Sequence, residues 1–491
     1  MTFLREVPWR LPIILAFALL GTALFHGSRG LYETTEGRYA ECAREMARTG
    51  TWLEPVLNGH PHWTKPPLTY WAIRAPVQVL GPTTWAARLY LIPCHLLAIV
   101  AVWGLAFFLW GDRKSANMCA MVFATAGVPM AASQTTSTDY PLAAMLAVAQ
   151  ACFWGAYRCR SRKWIYGLWF SMGIAFLIKG PPALLILPAM VVVWLRLSKE
   201  ERRSVPLFAP TALIMFFAVA LSWYVWEACH HPGLLKYWLQ DEVVNRSLSN
   251  KFNRHPQFYQ NFVIYLPILL SGMFPWTGWL IFRWRKVWDK IRVPGGPMGL
   301  CTGLSTEALW LVWSVALPLC VFALSRSKLP LYVLPLFVPF AAAMGQLIVR
   351  IYSLEGGSAK AANITAVVAL TTFVAIKAGM GWFPTDRDMS ELHDTLVNEC
   401  GVRDPARLSV WSDRPLNGLS YYYDYDIRLV SKENLKELAD EKGEHFIVCR
   451  FNHGKKIAEL FSGRAICKEI DSEKWCLLRI AGTEAAAADG K

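Results

Sequence analysis

This sequence is short of charge: 18% of its 491 residues are Asp, Glu, Lys or Arg, 54% are hydrophobic, and the mean hydropathy is +0.28. So few ions exclude a string of soluble domains and point to a polytopic membrane protein. The twelve cysteines form no metal-like CxxC pairs, so no zinc module is indicated. Internal repeats, a Gly-rich phosphate loop and a dinucleotide-binding fingerprint are also lacking. Leu11 to Phe25 has the look of a signal-peptide core, yet no clear small-residue cleavage site closes it and many comparable runs follow. It is read as the first membrane helix.

What is present is a series of apolar runs long enough to cross about 30 Å of hydrocarbon. They fall near 11–27, 86–110, 115–131, 140–157, 164–178, 181–197, 206–227, 261–282, 304–324, 330–348 and 361–381. The net charge of +14 sits mostly in short loops: Arg5 and Arg10, "GDRK", "RCRSRK", "RLSKEERR", "FRWRKVWDK" and Arg350 occupy alternate connections. That is the positive-inside pattern, and it argues against a nucleic-acid face. It predicts a cytoplasmic N-terminus, with 28–85, 132–139, 228–260, 325–329 and everything after 382 outside.

The predicted fold class is an all-α polytopic membrane protein with a small C-terminal α/β domain. Residues 1–382 form the membrane part and 383–491 the outer domain. In that tail the strand-like runs "LSVW", "IRLV", "HFIVCRF" and "WCLLRI" alternate with the helical pattern "SKENLKELADEKG", and "GTEAAAADGK" reads as a frayed end. Cys94, Cys119, Cys152 and Cys320 lie in apolar spans as small hydrophobes. Cys400, Cys449, Cys467 and Cys476 lie in the tail, where an oxidising compartment permits one or two disulfides of open pairing.

Three features carry chemistry. The stretch "TTEGRYAECAREMARTGTW" places Tyr39, Cys42, Ala43, Met46 and Ala47 on one helical stripe, with Thr35 able to cap the start and Gly50 the end. Such a helix either lies flat on the outer membrane surface or packs on the bundle as an ordinary loop helix. Lysine before proline recurs as "WTKPPLTYW", "IKGPPALLI" and "SKLPLYVLP", placing Lys65, Lys179 and Lys328 ahead of apolar helices on the outer side. Lysine beside a helix N-terminus makes an anion site. Each lysine alone also suits snorkelling to water; together, against the charge bias of that side, they favour a shared anionic ligand such as a polyprenyl phosphate or phospholipid.

Glu36, in the first turn of the surface helix, and Asp139, in "QTTSTDYPLAAM", are the candidate carboxylates. Asp139 equally suits capping of the following helix. In "DEVVNRSLSNKFNRHPQFYQNF", Arg246, Arg254 and His255 are candidates to meet a charged head group, or are ordinary loop residues.

On "TEGRYAECAREM", "TWLEPVLNG", "KPPLTYW", "IKGPPALL" and "SKLPLYVLP", the chain resembles the bacterial polyprenyl-phosphate-dependent glycosyltransferases of the GT-C class. The group is that of the aminoarabinose lipid A transferase, with protein O-mannosyltransferases as distant relatives. The resemblance implies a GT-C fold of about 11–13 transmembrane helices, amphipathic helices in the first outer loop (28–85), an outward-facing cavity and a periplasmic C-terminal domain. It implies that Arg38, Tyr39, Lys65, Lys179, Lys328 and Tyr332 surround the donor phosphate and cavity, and that Asp139 matches an outer-loop aspartate. Two departures bear on the substrate. Thr35-Glu36 stands where the family commonly has Asp-Glu, and Thr64 stands where some members have Glu before Lys-Pro-Pro, so no metal contact is expected there.

The reaction implied is displacement at an anomeric carbon, with lysines stabilising the departing phosphate and Glu36 or Asp139 taking a proton from a hydroxyl acceptor. The expected protein is a monomeric enzyme of the bacterial inner membrane that needs no cofactor. It would carry sugar from undecaprenyl phosphate to lipid A or another glycolipid, with membrane lipids around it and no nucleic acid. Protein O-glycosylation and flipping of a lipid-linked anion are the alternatives.

Overall fold

The computed structural model describes residues 9–240, 257–285, 305–354, 359–383, 385–431, 434, 438, 443–461, 465–470 and 474–480. The sequence-predicted site residues Arg246 and His255, with Arg254, lie outside them. The described residues fall into two compact units, each built from separated stretches. The first takes in Met1–Phe25, Trp63–Thr69 and Tyr90–Ile376; the second takes in His26–His62, Tyr70–Leu89 and Lys377–Lys491.

The first unit is helical. Leu91–Trp110 packs against both Arg113–Thr125 and Asp139–Cys159, Lys163–Lys179 packs on Asp139–Cys159, and Phe337–Leu354 returns against Arg113–Thr125. Close approach there depends on a missing side chain: a Cβ on Gly345 would lie 2.6 Å from the Cys119 Cα, the small-residue device by which membrane helices draw together. Local chemistry fixes the ends. The Asp112 side chain accepts from the Ser115 amide at 2.8 Å, and Ser198 and Glu201 form a reciprocal capping box around Lys199–Ser204.

Among the described residues, five helices are long and apolar enough to cross a membrane. They are Thr84–Trp110, Asp139–Cys159, Thr306–Leu324, Pro330–Ser353 and Lys360–Met380. Counting each bent pair as one span gives seven, the pairs being Pro210–Ala220 with Ser222–His230, and Asn261–Ser271 with Trp276–Phe282. Several further apolar runs are too short as single helices to pass that test. Arg113–Thr125 stops where Ala126 turns extended, and Pro181–Leu184 makes a 3-10 turn before Leu187–Arg196.

The second unit holds a two-residue hairpin, β1 (Val56–Leu57) with β2 (His60–Pro61), and a five-stranded sheet. The sheet strands are β3 (Leu408–Trp411), β4 (Arg428–Val430), β5 (His445–Arg450), β6 (Ala465–Ile470) and β7 (Trp475–Ile480), in spatial order β4-β3-β5-β7-β6. Pairing is parallel for β3 with β4 and β5, and antiparallel for β7 with β5 and β6. The period-2 pattern divides the core between two faces. Leu408, Val410, Val448, Trp475 and Leu477 join Met389, Leu392 and Leu419 on one side; Ile447, Cys449, Cys476, Leu478 and Ile480 join Ile457 and Phe461 on the other. Both faces are covered by helices, as the mixed sheet requires. Cys476 is disulfide-bonded, whereas Cys400 and Cys449 are free thiols.

The same unit ties the start of the chain to its end. The Leu31 amide donates to the Tyr422 hydroxyl at 2.9 Å, the Gly30 amide to Asp388 Oδ2 at 2.8 Å, and the Tyr421 hydroxyl to the Thr83 carbonyl at 2.9 Å. Glu33 Oε2 accepts from the Gly418 amide at 2.8 Å.

Candidate functional site

In the first unit, Asp139 opens its helix one residue after the N-cap Thr138, and its amide donates to Ser137 Oγ at 3.2 Å. Tyr90 steadies that entry: its hydroxyl donates to the Ser137 carbonyl (2.9 Å) and accepts from the Ser137 amide (3.0 Å). Lys179, far along the chain, forms an ion pair with Asp139 Oδ1, and its ammonium stands 4.5 Å from the centre of the Tyr332 ring. Asp139 and Lys179, singled out separately in the sequence, and Tyr332, implied by the resemblance, thus meet in one cluster. Both charged side chains are largely covered, 10% and 14% exposed, so Coulomb attraction is little screened.

The local setting of the lysines differs from the sequence reading. Lys179 ends Lys163–Lys179 rather than preceding a helix, and Gly180 follows at φ 74° before the 3-10 turn. A helix C-terminus stabilises a cation directly. Lys328 precedes the 3-10 segment Pro330–Leu336, not an α-helix; it is buried and donates to the Ser325 carbonyl at 2.7 Å. Burial lowers its pKa. Lys65 is half-buried and donates to the Thr64 carbonyl at 2.9 Å. Its segment is held by Trp238, whose indole donates to the Trp63 carbonyl at 3.0 Å, and by the packing of Trp63 against His231 at 4.9 Å.

Tyr265 is absent from the sequence reading. It is buried, packs 6.0 Å from the Phe322 ring, and lies within electrostatic reach of Tyr332 and Asp139. No spacing in the sequence singles it out from the other aromatic residues of the apolar runs.

In the second unit, Thr35–Thr49 is a helix closed by Gly50 in the left-handed region, with Thr34 rather than Thr35 at the N-cap and no side-chain cap bond. It does not lie as a one-sided surface helix. Glu36, Glu41, Arg44 and Glu45 are buried along with Tyr39, Cys42, Ala43 and Met46. Glu36 is held by two guanidiniums: Arg29 Nη1 lies at 2.5 Å from Oε2, and Arg88 reaches Oε2 with Nη2 at 3.0 Å and Oε1 with Nε at 3.2 Å. The Tyr32 amide adds a bond at 3.1 Å. Burial alone pushes this carboxyl up, but Arg88 and Arg29 overcome it and hold the pKa at about 2. So weak a base, with its oxygens engaged, departs from the expectation that Glu36 takes a proton.

Arg38 is half-buried, 5.6 Å from the Tyr39 ring centre, and Tyr39 packs on Tyr70 at 5.7 Å. Arg38 also draws down the pKa of Glu33, yet burial dominates and raises Glu33 to about 7. Among the described residues, Glu41, Glu45 and Asp426 have carboxylate oxygens close enough to share a metal, within 4.8 Å of one another. Those groups are already engaged. Arg44 pairs with Glu41 (2.7 Å) and Asp426 (2.5 Å), and Glu45 accepts from the amides of Asn58 (2.5 Å) and Gly59 (2.9 Å).

Residues 9–238 match the family described as dolichyl-phosphate-mannose-protein mannosyltransferase. An undecaprenyl phosphate-alpha-4-amino-4-deoxy-L-arabinose arabinosyl transferase 2 of Pseudomonas fluorescens is 25% identical over 75% of the chain and 65% of its own length. The corresponding arabinosyl transferase of Erwinia tasmaniensis is 29% identical over 71% of the chain and 61% of its own length. The chain therefore spans less than two thirds of these relatives. In fold it is similar to ArnT from Cupriavidus metallidurans, solved with undecaprenyl phosphate bound, at a TM-score of 0.77 and 17% identity over 95% of this chain and 97% of that one. Sequence similarity and fold point the same way: the chain is similar in sequence to these arabinosyl transferases and shares the fold of ArnT.

Proposed function

We propose that the chain transfers a sugar from an undecaprenyl-phosphate carrier to a lipid-anchored saccharide, lipid A or another lipopolysaccharide component, at the outer face of the bacterial inner membrane. In this reading the N-terminus is cytoplasmic, the C-terminal α/β domain is periplasmic, and the enzyme works as a monomer without a required cofactor. The observation that carries it is the largely covered Asp139–Lys179 pair, with the lysine ammonium over the Tyr332 ring, in a chain whose relatives are named for an undecaprenyl-phosphate sugar donor.

The chemistry follows from the charges. The acceptor oxygen attacks the anomeric carbon, the bond from that carbon to the carrier's phosphate oxygen breaks, and the electron pair leaves on the polyprenyl phosphate. Lys65 and Lys328 supply positive charge to the departing phosphate, where charge grows in the transition state. Two anions compete for Lys179: Asp139 before the donor arrives and phosphate afterwards. Once the phosphate engages Lys179, Asp139 is released to accept the proton of a hydroxyl acceptor; a phosphate acceptor is already ionised and needs no base. Asp139 is preferred to Glu36 because Glu36 is clamped by Arg29 and Arg88. Arg38 and Tyr39 are assigned to donor recognition on the resemblance.

The test is turnover by purified protein of a labelled undecaprenyl-phosphate sugar, with aminoarabinose among the sugars offered and lipid A as acceptor. Labelled lipid A supports the proposal. Label on protein instead redirects it to O-glycosylation. Carrier movement across vesicles with no sugar released from any donor would replace it with the flippase reading.

A further inference from the structure

Tyr265, in the first unit, is a polar group buried without a partner of its own. It closes the short π-helical segment Asn261–Tyr265 and is 3% exposed, and its phenol oxygen makes no hydrogen bond among the described residues. The Leu329 amide bears on that oxygen but closes no hydrogen bond of ordinary geometry. A buried tyrosine hydroxyl normally finds a partner, and one left without bears the full cost of its lost water. Such a group in a native fold marks a place where another molecule completes the bond. The wide π turn that sets it there is uncommon and recurs at functional sites.

Its surroundings say what that molecule carries. Asn261–Tyr265, Asp139–Cys159 and Thr306–Leu324 all pack on the 3-10 segment Pro330–Leu336. The Phe322 ring stands 6.0 Å from Tyr265 and 6.5 Å from Tyr332, and the Tyr265 oxygen is within electrostatic reach of Tyr332 and Asp139. Lys328, bonded through its peptide to Leu329, is 1% exposed. Its ammonium gives one hydrogen bond, to the Ser325 carbonyl, and no carboxylate pairs with it among the described residues. An ammonium has three N–H groups, so Lys328 keeps donors to spare. A buried cation and a buried hydroxyl, both set about the Lys328–Leu329 peptide, are two donors suited to one anionic oxygen or to neighbouring oxygens of one phosphate.

We infer that Tyr265 is a further residue of the donor site, its hydroxyl donating to the phosphate oxygen that departs with the carrier, beside the Lys328 ammonium. The inference rests on the proposed reaction and adds a residue to it. In the sugar donor the phosphate is a diester with one negative charge. When the bond from the anomeric carbon to its oxygen breaks, the electron pair stays on that oxygen, which takes the second charge. The Tyr265 proton remains on the phenol, and its hydrogen bond strengthens as that charge grows. A group so placed favours the transition state and the released carrier over the diester. Tyr265 therefore acts on kcat and on affinity for undecaprenyl phosphate more than on capture of the donor.

The experiment uses the full chain in detergent micelles and compares the wild type with Tyr265→Phe, which deletes the hydroxyl and breaks no hydrogen bond among the described residues. Two measurements are made: kcat and KM with a labelled undecaprenyl-phosphate sugar, and Kd for undecaprenyl phosphate alone by intrinsic tryptophan fluorescence. Tyr265→Phe should lower kcat about 10²-fold, as loss of one donor to a developing oxyanion does, with the donor KM little changed. It should weaken undecaprenyl phosphate about tenfold. A merely structural role would move donor and carrier affinity together and lower the unfolding midpoint, and that result overturns the inference. So does a lowered kcat with unchanged carrier affinity, which moves Tyr265 to the acceptor side with Asp139. Carrier binding needs no turnover, so the two readings fail separately. Equal carrier affinity in the wild type and folded Tyr265→Phe removes Tyr265 and leaves the proposed function standing, whereas a wild type that does not bind undecaprenyl phosphate overturns both.

Discussion

Substituting Glu36 by Gln separates two roles that the sequence leaves entangled, proton acceptor and structural tether. Gln keeps the shape and removes the charge facing Arg29 and Arg88, which are 9% and 1% exposed. The carboxyl is lowered from 4.5 to about 2 in the folded protein. A tenfold change in acidity is worth about 1.4 kcal/mol, so the lowering corresponds to about 3 kcal/mol of stabilisation. Removing one partner from a buried ionic cluster costs a comparable roughly 3–5 kcal/mol because the remaining charges stay uncompensated. The sign is set by the lowered value. The contribution is fully present above about pH 4.5 and drains away as pH falls towards about 2. In detergent at neutral pH, Glu36→Gln should therefore lower the apparent unfolding midpoint by about 3–5 °C and flatten the acid limb of the stability profile. Transfer per folded molecule should change far less. A variant with the wild-type midpoint and no turnover would refute the tether and return Glu36 to the chemistry.

Glu33 has the opposite sign: raised to about 7 by burial, it is protonated more readily in the folded state, so its ionisation costs stability as pH rises from about 4.5 through 7. Glu33→Gln should remove that slope and leave the protein more stable than wild type at pH 8, measured by unfolding midpoint against pH. Asp139→Asn should lower kcat about 10²–10⁴-fold with a hydroxyl acceptor while donor binding persists; unchanged kcat removes Asp139 as base. Lys65→Ala and Lys328→Ala should each cut kcat/KM by two orders of magnitude or so without loss of membrane-integrated protein, read by turnover of the labelled donor. Tyr265→Phe is expected to alter turnover and leave the unfolding midpoint within a few degrees, if its hydroxyl serves the cluster rather than the packing.

How much of this was legible beforehand depended on the distance between partners along the chain. The helix Thr35–Thr49 and its stop at Gly50 are set by local spacing, and the structure places them there. Its burial on all sides is not, because Arg44 finds Asp424 and Asp426 some 380 residues later. Glu36 is visible as a first-turn carboxylate, yet nothing local marks Arg88, 52 residues away, as its partner. Lys179 and Asp139 were each conspicuous as polar residues beside apolar helices, and 40 residues separate them; only the packing of their helices makes them a pair. The lysine-proline phrases suggested α-helical N-termini, but proline also favours the tighter 3-10 turn, and a turn of that kind comes after both Lys179 and Lys328.

The ties from Leu31 and Gly30 to Tyr422 and Asp388 constrain the order in which the nascent polypeptide can mature. The stretch between the first two apolar segments leaves the ribosome early; Glu36 can find Arg29 and Arg88 within it, but the second carboxylate partners of Arg44 and the anchors of Gly30 and Leu31 arrive only when residues 388–426 are translated. Premature termination ahead of the sheet would thus strand the opening loop as well as delete the tail, leaving a substrate for membrane quality-control proteolysis.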